Sequence, residues 1–263
     1  MNTVPIGRVF LFFYNGFMNK TTQGFIAAAK QLRSDLDLLQ FSAPVSWVYN
    51  PLHYAWSAQE KYLSLYAGSS CRVFLLGMNP GPWGMAQTGV PFGEIDAVRN
   101  YLRIETKIGK PDREHPKRPI EGFACTRSEV SGKRLWGLFS SRYPIAKDFF
   151  AEHFVSNYCP LVFMDDGARN VTPDKLPASE RKDLDAKCDQ HLQKSLLLLK
   201  PEFAVGIGAY AQDCLKRVCN NHAKLQSTTV CKILHPSPAS PAANRGWAEQ
   251  ATKQLQDAGI WNK

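Results

Sequence analysis

Four short apolar, partly β-branched runs, Val73 to Met78, Phe154 to Tyr158, Phe203 to Ile207 and Val230 to Leu234, are separated by long segments of helical character. Short buried strands alternating with helices require right-handed crossovers and a parallel sheet covered on both faces. The clearest intervening helix is Ser179 to Leu199, whose Leu184, Cys188, Leu192, Leu196 and Leu199 share one face and which Pro201 stops. Upstream, Phe25, Ala29, Leu32, Leu36 and Leu39 recur at helical spacing. The expected fold is α/β, a three-layer α/β/α sandwich around a short, mainly four-stranded parallel sheet. A chain of 263 residues, 44% hydrophobic, can bury one large core. No repeat or long linker divides it, so residues 24–263 are expected to form a single domain behind a tail, 1–23.

Open parallel sheets keep their chemistry in the crevice beyond the carboxyl ends of the strands. The most distinctive stretches of this chain begin there. Gly77-Met78-Asn79-Pro80-Gly81-Pro82-Trp83-Gly84-Met85-Ala86-Gln87-Thr88-Gly89-Val90-Pro91-Phe92-Gly93-Glu94 follows the first strand, and His235-Pro236-Ser237-Pro238 follows the last. Asn79, Asn157, Gly208 and His235 should therefore converge on one edge of the sheet. Prolines and glycines make the first loop a rigid cradle whose backbone N–H groups can approach a ligand, and no Gly-Lys-Ser/Thr follows to make it a Walker loop. Phe92, between Pro91 and Gly93, reads either as a core plug or as a platform for a flat ligand.

Lys and Arg number 32 against 23 Asp and Glu, a net charge of +9. The excess favours polyanions, and equally describes a solubilising surface. The polar, proline-punctuated stretch Thr106 to Pro119 reads as a solvated insertion loop rather than core. Seven cysteines, with no C-x-x-C pair, read as reduced thiols with no zinc spacing, so no metal and no cofactor is expected. Val9 to Tyr14 is too short an apolar run to span a bilayer, and no membrane association is expected. The absence of any acid before Asp35 leaves two readings of the N-terminus, a frayed tail or a mitochondrial transit peptide.

The candidate site is poor in carboxylates, Glu94 being the only acid of the long loop. The paired acid and base of most glycoside hydrolases is thus not evident. An Asn that can hold a water, a second Asn, an aromatic face and a His donor suit cleavage of a bond whose leaving group is already a tolerable anion. Uracil on deoxyribose fits, because its departing N1 anion is delocalised onto O2, where a hydrogen bond strengthens as charge develops.

The Gly77 to Glu94 run, Glu114-His115-Pro116-Lys117-Arg118-Pro119, Ser128-Glu129-Val130-Ser131-Gly132, Asn157-Tyr158-Cys159-Pro160-Leu161 and the segment from His235 to Trp247 together resemble the single-strand-selective monofunctional uracil-DNA glycosylases. The likeness runs from about Gly24 to near the C-terminus. It implies that Asn79 positions the attacking water and His235 stabilises the departing uracil anion. Asn157 would read the base edge, Phe92 would stack on the extruded base, and Gly81 and Met85 would line the space around C5. There a bound water resembles the hydroxyl of 5-hydroxymethyluracil, which this family accepts, while thymine's methyl is refused. Pro236, Ser237, Pro238 and Ala239 would press into the vacated stack, with Arg245 on phosphate. Vertebrate members resemble Pro-Ser-Pro-Arg at this place; an alanine cannot fill a base-sized gap.

The resemblance thus implies a monomeric, monofunctional DNA repair enzyme without lyase activity. It would act on uracil and 5-hydroxymethyluracil in single- and double-stranded DNA and leave an abasic site. The nucleus is the compartment it implies, the basic N-terminus leaving the mitochondrion as the alternative. Two other readings stand beside it, a mismatch-directed uracil/thymine glycosylase and a non-catalytic nucleic-acid-binding α/β module.

Overall fold

The computed structural model describes residues 19–262. The tail and transit-peptide readings of residues 1–18 lie outside them. In chain order the larger elements are α1 (Lys20–Asp37), β1 (Trp47–Tyr49), α2 (Trp56–Tyr66), β2 (Val73–Gly77), α3 (Val130–Arg142), β3 (His153–Asn157), β4 (Val162–Met164) and β5 (Asn170–Val171). They continue through α4 (Ala178–Leu199), β6 (Phe203–Ile207), α5 (Ala209–Asn220), β7 (Thr229–Ile233) and α6 (Trp247–Asp257).

The four apolar runs form one parallel sheet in the order β3-β2-β6-β7. Every residue of β2 and β6 is buried, which requires cover on both faces. Helix α5 packs on β6 and β7, α4 packs on α1 and α5, and α6 packs on β7 and α3. The expected α/β/α sandwich is the architecture found.

Helix α1 starts at Lys20, where the Asn19 side chain accepts from Thr22 N–H at 2.8 Å and so caps one of the orphan amides of the first turn. Residues 20–23, assigned to the tail, are therefore helical. Phe25, Ala29, Leu32 and Leu36 form its buried stripe, and Phe25 meets Phe154 of β3 edge-on at 5.2 Å. Leu39 falls outside, because the helix ends at Asp37. Helix α4 ends at Leu199 and is capped by Lys200, whose left-handed backbone (φ 49°) precedes Pro201.

Two features depart from expectation. A second, antiparallel sheet, β1-β4-β5, stands beside the parallel one. Its strands are three, three and two residues long, too short to carry a period-2 pattern. The Thr106 to Pro119 loop lacks helix and strand but is not merely solvated. His115 is only 4% exposed and packs on Trp47 at 4.9 Å between ring centroids. Its N–H donates to the Tyr49 hydroxyl, which donates to the Arg118 carbonyl, and its Nδ1 accepts from Lys117 N–H. Glu114 accepts from Ile120 N–H at 2.7 Å. Buried polar atoms must find partners, and here the loop finds them partly in itself and partly in its neighbours, Tyr49 of β1 among them. The seven cysteines are free, six of them buried, and burial pushes the Cys71 and Cys214 thiols up to about 12.

Candidate active site

Pairing fixes which residues share an edge. Gly77 ends β2 directly opposite Asn157, which ends β3, and Ile207 of β6 pairs with Ile233 of β7. Asn79 and His235 each lie two residues past a strand end, so both emerge at that same carboxyl edge. A cavity of about 370 Å³ opens there, lined by Asn79, Gly81, Met85, Phe92, Asn157, His235 and Ser237 among others.

Asn79 is oriented by its amide nitrogen, which donates to the Leu161 carbonyl at 3.3 Å and to that of Pro80 at 3.4 Å. Its Oδ1 is left as an acceptor for a ligand or water. Among the described residues the side-chain amide of Asn157, 8% exposed, has only the Met85 sulfur, at 3.4 Å from Nδ2. A thioether is a weak acceptor, so the amide retains its capacity to read a polar edge.

Phe92, 9% exposed, is a core residue that also lines the cavity. Its backbone is left-handed (φ 52°), an uncommon state for an aromatic residue, and its carbonyl accepts from the Trp136 indole N–H at 3.1 Å. The ring lies 6.5 Å from the His235 imidazole, tilted by 44°. A close approach makes this arrangement possible. A Cβ on Gly77 would sit 2.5 Å from Asn157 Oδ1 and 2.6 Å from the Phe92 ring.

His235 is set by its flanks. The N–H of Leu234 donates to Gln254, and the Leu234 carbonyl accepts from the Trp247 indole, each at 2.7 Å, so α6 grips the chain one residue before the imidazole. Gly208 contributes room rather than a lining group. Its φ is 96°, and a Cβ there would come within 3.3 Å of His235 Cβ. Burial lowers the His235 pKa below the ordinary histidine value, so the ring is neutral at pH 7 and can donate one N–H to a developing anion.

The loop beyond His235 is pinned from α3. Arg134 donates to the carbonyls of Pro236 (3.1 Å) and Ser237 (3.4 Å) and to Asn244 Oδ1 (2.9 Å). Asn244 in turn donates to the Pro238 carbonyl at 2.9 Å, and Ser237 Oγ accepts from Ala239 N–H at 3.1 Å. Pro236 is buried behind this staple, whereas Pro238, Ala239 and Arg245 are exposed and stand outside the cavity lining.

The cavity, expected to be poor in carboxylates, is lined by one acid among the described residues, and it is not Glu94. Glu94 spends its carboxylate on Ala97 N–H and the Ser128 hydroxyl and does not line the cavity. Glu129 does, while capping α3 through Ser131 and Gly132 N–H groups. Burial raises its pKa, and those two backbone donors oppose the rise. A capping acid before a helix is legible in sequence, but its position against the cavity is not. Ser131, Asn170 and Thr172 also line the cavity unannounced, the last two delivered by the second sheet.

A model of the uracil DNA glycosylase superfamily matches residues 64–257. The single-strand selective monofunctional uracil-DNA glycosylase of Rattus norvegicus is 43% identical over 238 residues, 90% of this chain and 85% of that protein. Its counterpart from Bos taurus is 42% identical, covering 90% of this chain and 87% of its own length. The crystal structure of wild-type Pedobacter heparinus SMUG2 superposes with a TM-score of 0.64 at 16% identity, over 90% of this chain and 99% of that one, a likeness of fold. The chain belongs to the uracil-DNA glycosylase superfamily of N-glycosyl hydrolases and, within it, to the single-strand selective monofunctional uracil-DNA glycosylases.

Proposed function

We propose that this protein excises uracil and 5-hydroxymethyluracil from single- and double-stranded DNA by direct attack of water, leaving an abasic site. The observation that carries the reading is the meeting of an acceptor-oriented Asn79, an under-satisfied Asn157, the Phe92 ring and a neutral His235 around one cavity. The target carbon is out of reach within a duplex, so the nucleotide is first extruded, at a cost that single strands largely avoid.

With the base against Phe92, the Asn157 carbonyl accepts N3–H and its amide donates to O4. Cytosine presents the opposite polarity at both atoms and is rejected. Asn79 Oδ1 accepts a hydrogen from the attacking water and holds it near the sugar C1′. As the N-glycosidic bond opens, its electron pair moves into the pyrimidine. The His235 N–H then donates to O2, where the charge accumulates. A pre-placed donor of this kind lowers the barrier by about 3 kcal/mol, roughly 10²-fold in rate. Met85 and Gly81 bound the space around C5, and the loop 236–239 with Arg245 engages the strand from which the base has left. No lysine lies in either motif to form a Schiff base, so the reaction stops at the abasic site.

Base release from matched single- and double-stranded oligonucleotides carrying uracil, 5-hydroxymethyluracil or thymine tests this reading. Release of the first two and retention of thymine is expected. Thymine release from G·T pairs would favour a mismatch-directed enzyme, and no release of any base would leave only a binding module.

A further inference from the structure

Beside the cavity, Trp83 stands between Gly81 and Gly84, two of its lining residues, so its Cα is one residue step, about 3.8 Å, from the cavity wall. The indole is partly exposed. The guanidinium carbon of Arg118 lies 5.1 Å from its ring centroid and that of Arg127 lies 5.5 Å away. Two cations therefore share one aromatic ring, and neither makes an ion pair with a carboxylate among the described residues. Two guanidiniums without a carboxylate partner make this spot a local excess of positive charge that an anion would neutralise.

The cluster is built rather than accidental. Gln87, fully buried, donates to the carbonyls of Pro82 and Pro119 at 3.1 and 3.0 Å, the residues just before Trp83 and just after Arg118. Its Oε1 accepts from the N–H groups of Glu121 and Gly122, so all four of its hydrogen-bonding positions tie the two loops together. Arg118 is further fixed by its own N–H on the His115 carbonyl and by Nη1 on that of Lys117. Arg127 is exposed.

We propose that Trp83, Arg118 and Arg127 form a phosphate clamp for the substrate strand, engaging a phosphodiester within one or two nucleotides of the extruded base. The indole holds the two guanidiniums beside the cavity, and the phosphate supplies the anion they lack through charge-assisted hydrogen bonds. The proposal rests on the glycosylase reading of the cavity.

The test is neutral-backbone scanning. Single-stranded oligonucleotides bear one 2′-fluoro-deoxyuridine, which resists hydrolysis, and one uncharged methylphosphonate linkage moved through the flanking positions. Binding by the full chain is read by fluorescence anisotropy. The unmodified protein should lose affinity most sharply at one or two linkages next to the target. Arg127→Gln and Arg118→Gln should each weaken binding of the fully charged strand, lower the salt dependence of log Kd by about 0.7, and lose the penalty at those linkages alone. Unchanged salt slopes, or penalties that persist at every linkage in both variants, would overturn the clamp. Uracil release from an ordinary strand by the unmodified protein is measured alongside. Its absence would fault the catalytic reading, whereas an active enzyme with unaltered scans would fault only the clamp.

Discussion

Replacing Gly77 by alanine adds a single methyl at the point where the base-reading amide and the aromatic platform approach most closely. The new carbon would lie 2.5 Å from Asn157 Oδ1 and 2.6 Å from two carbons of the Phe92 ring. An ordinary carbon–carbon contact begins near 3.5 Å, so the ring must retreat by about 1 Å. Neither neighbour yields freely. Phe92 is held through its carbonyl by Trp136, and Asn157 is backed by Met85. Overpacking of this kind costs about 1–3 kcal/mol of stability. Displacing a substrate-positioning group by 1 Å costs on the order of 10²-fold in rate, about 2.7 kcal/mol. Single-turnover uracil release from a single-stranded oligonucleotide should therefore fall about a hundredfold at temperatures where the variant remains folded. Gly81→Ala supplies the control for folding. Its Cβ would meet nothing within 4 Å, so its Tm should match the parent. A Gly77→Ala enzyme that keeps more than a third of the parental kcat/KM would refute the argument that these two side chains jointly hold the base.

Asn157→Asp should release cytosine, because a carboxyl in either protonation state can meet the N4 amine; selectivity unchanged in a base-release assay would remove Asn157 from the reading role. Ala239→Arg should raise activity on duplex uracil selectively, since a larger side chain offsets part of the few kcal/mol that extrusion costs. Equal ratios of duplex to single-strand rates in parent and variant would show that position 239 does not limit extrusion. Stability should also fall in mild acid through His153, 1% exposed, whose Nε2 accepts from the Trp261 indole at 3.1 Å while Nδ1–H donates to the Phe149 carbonyl. Burial depresses its pKa from 6.5 to about 4. The unfolded chain thus takes up a proton below pH 6.5 that the folded chain refuses until about 4. Stability is full above that window and drops by up to ~3 kcal/mol through it. Denaturant midpoints that stay level from pH 7 to 4.5 would contradict this.

The parallel sheet was legible because its two central strands, β2 and β6, are buried on both faces and read as continuous apolar runs, while β3 and the more exposed β7 still carry enough apolar, β-branched residues to mark them. Their observed bounds differ from the expected ones by at most one residue at each end. The second sheet was not legible, since three-residue strands acquire their identity only by pairing, as Trp47 does with Met164. The same distinction divides the site. Asn79 and His235 are announced by rigid loops directly after strands, whereas Glu129, Asn170 and Thr172 reach the cavity through contacts remote in sequence. Arg134 is the sharpest case. Nothing on a helix 102 residues away marks it as the staple of the loop after His235, yet its hydrogen bond to the Pro236 carbonyl gives that loop its shape. His115 reversed an expectation for a related reason, because a polar, proline-rich sequence does not reveal that its backbone and imidazole will find partners in Tyr49 and Lys117 when buried.

The division of labour between Asn79 and His235 is tested most directly by single-turnover uracil release from one single-stranded oligonucleotide, comparing the parent with Asn79→Ala and His235→Leu. Removing the acceptor that holds the water, or the neutral N–H that meets the O2 charge, should slow release by 10²- to 10³-fold in each case. Release by either variant within tenfold of the parent would contradict the account of how this cavity breaks the glycosidic bond.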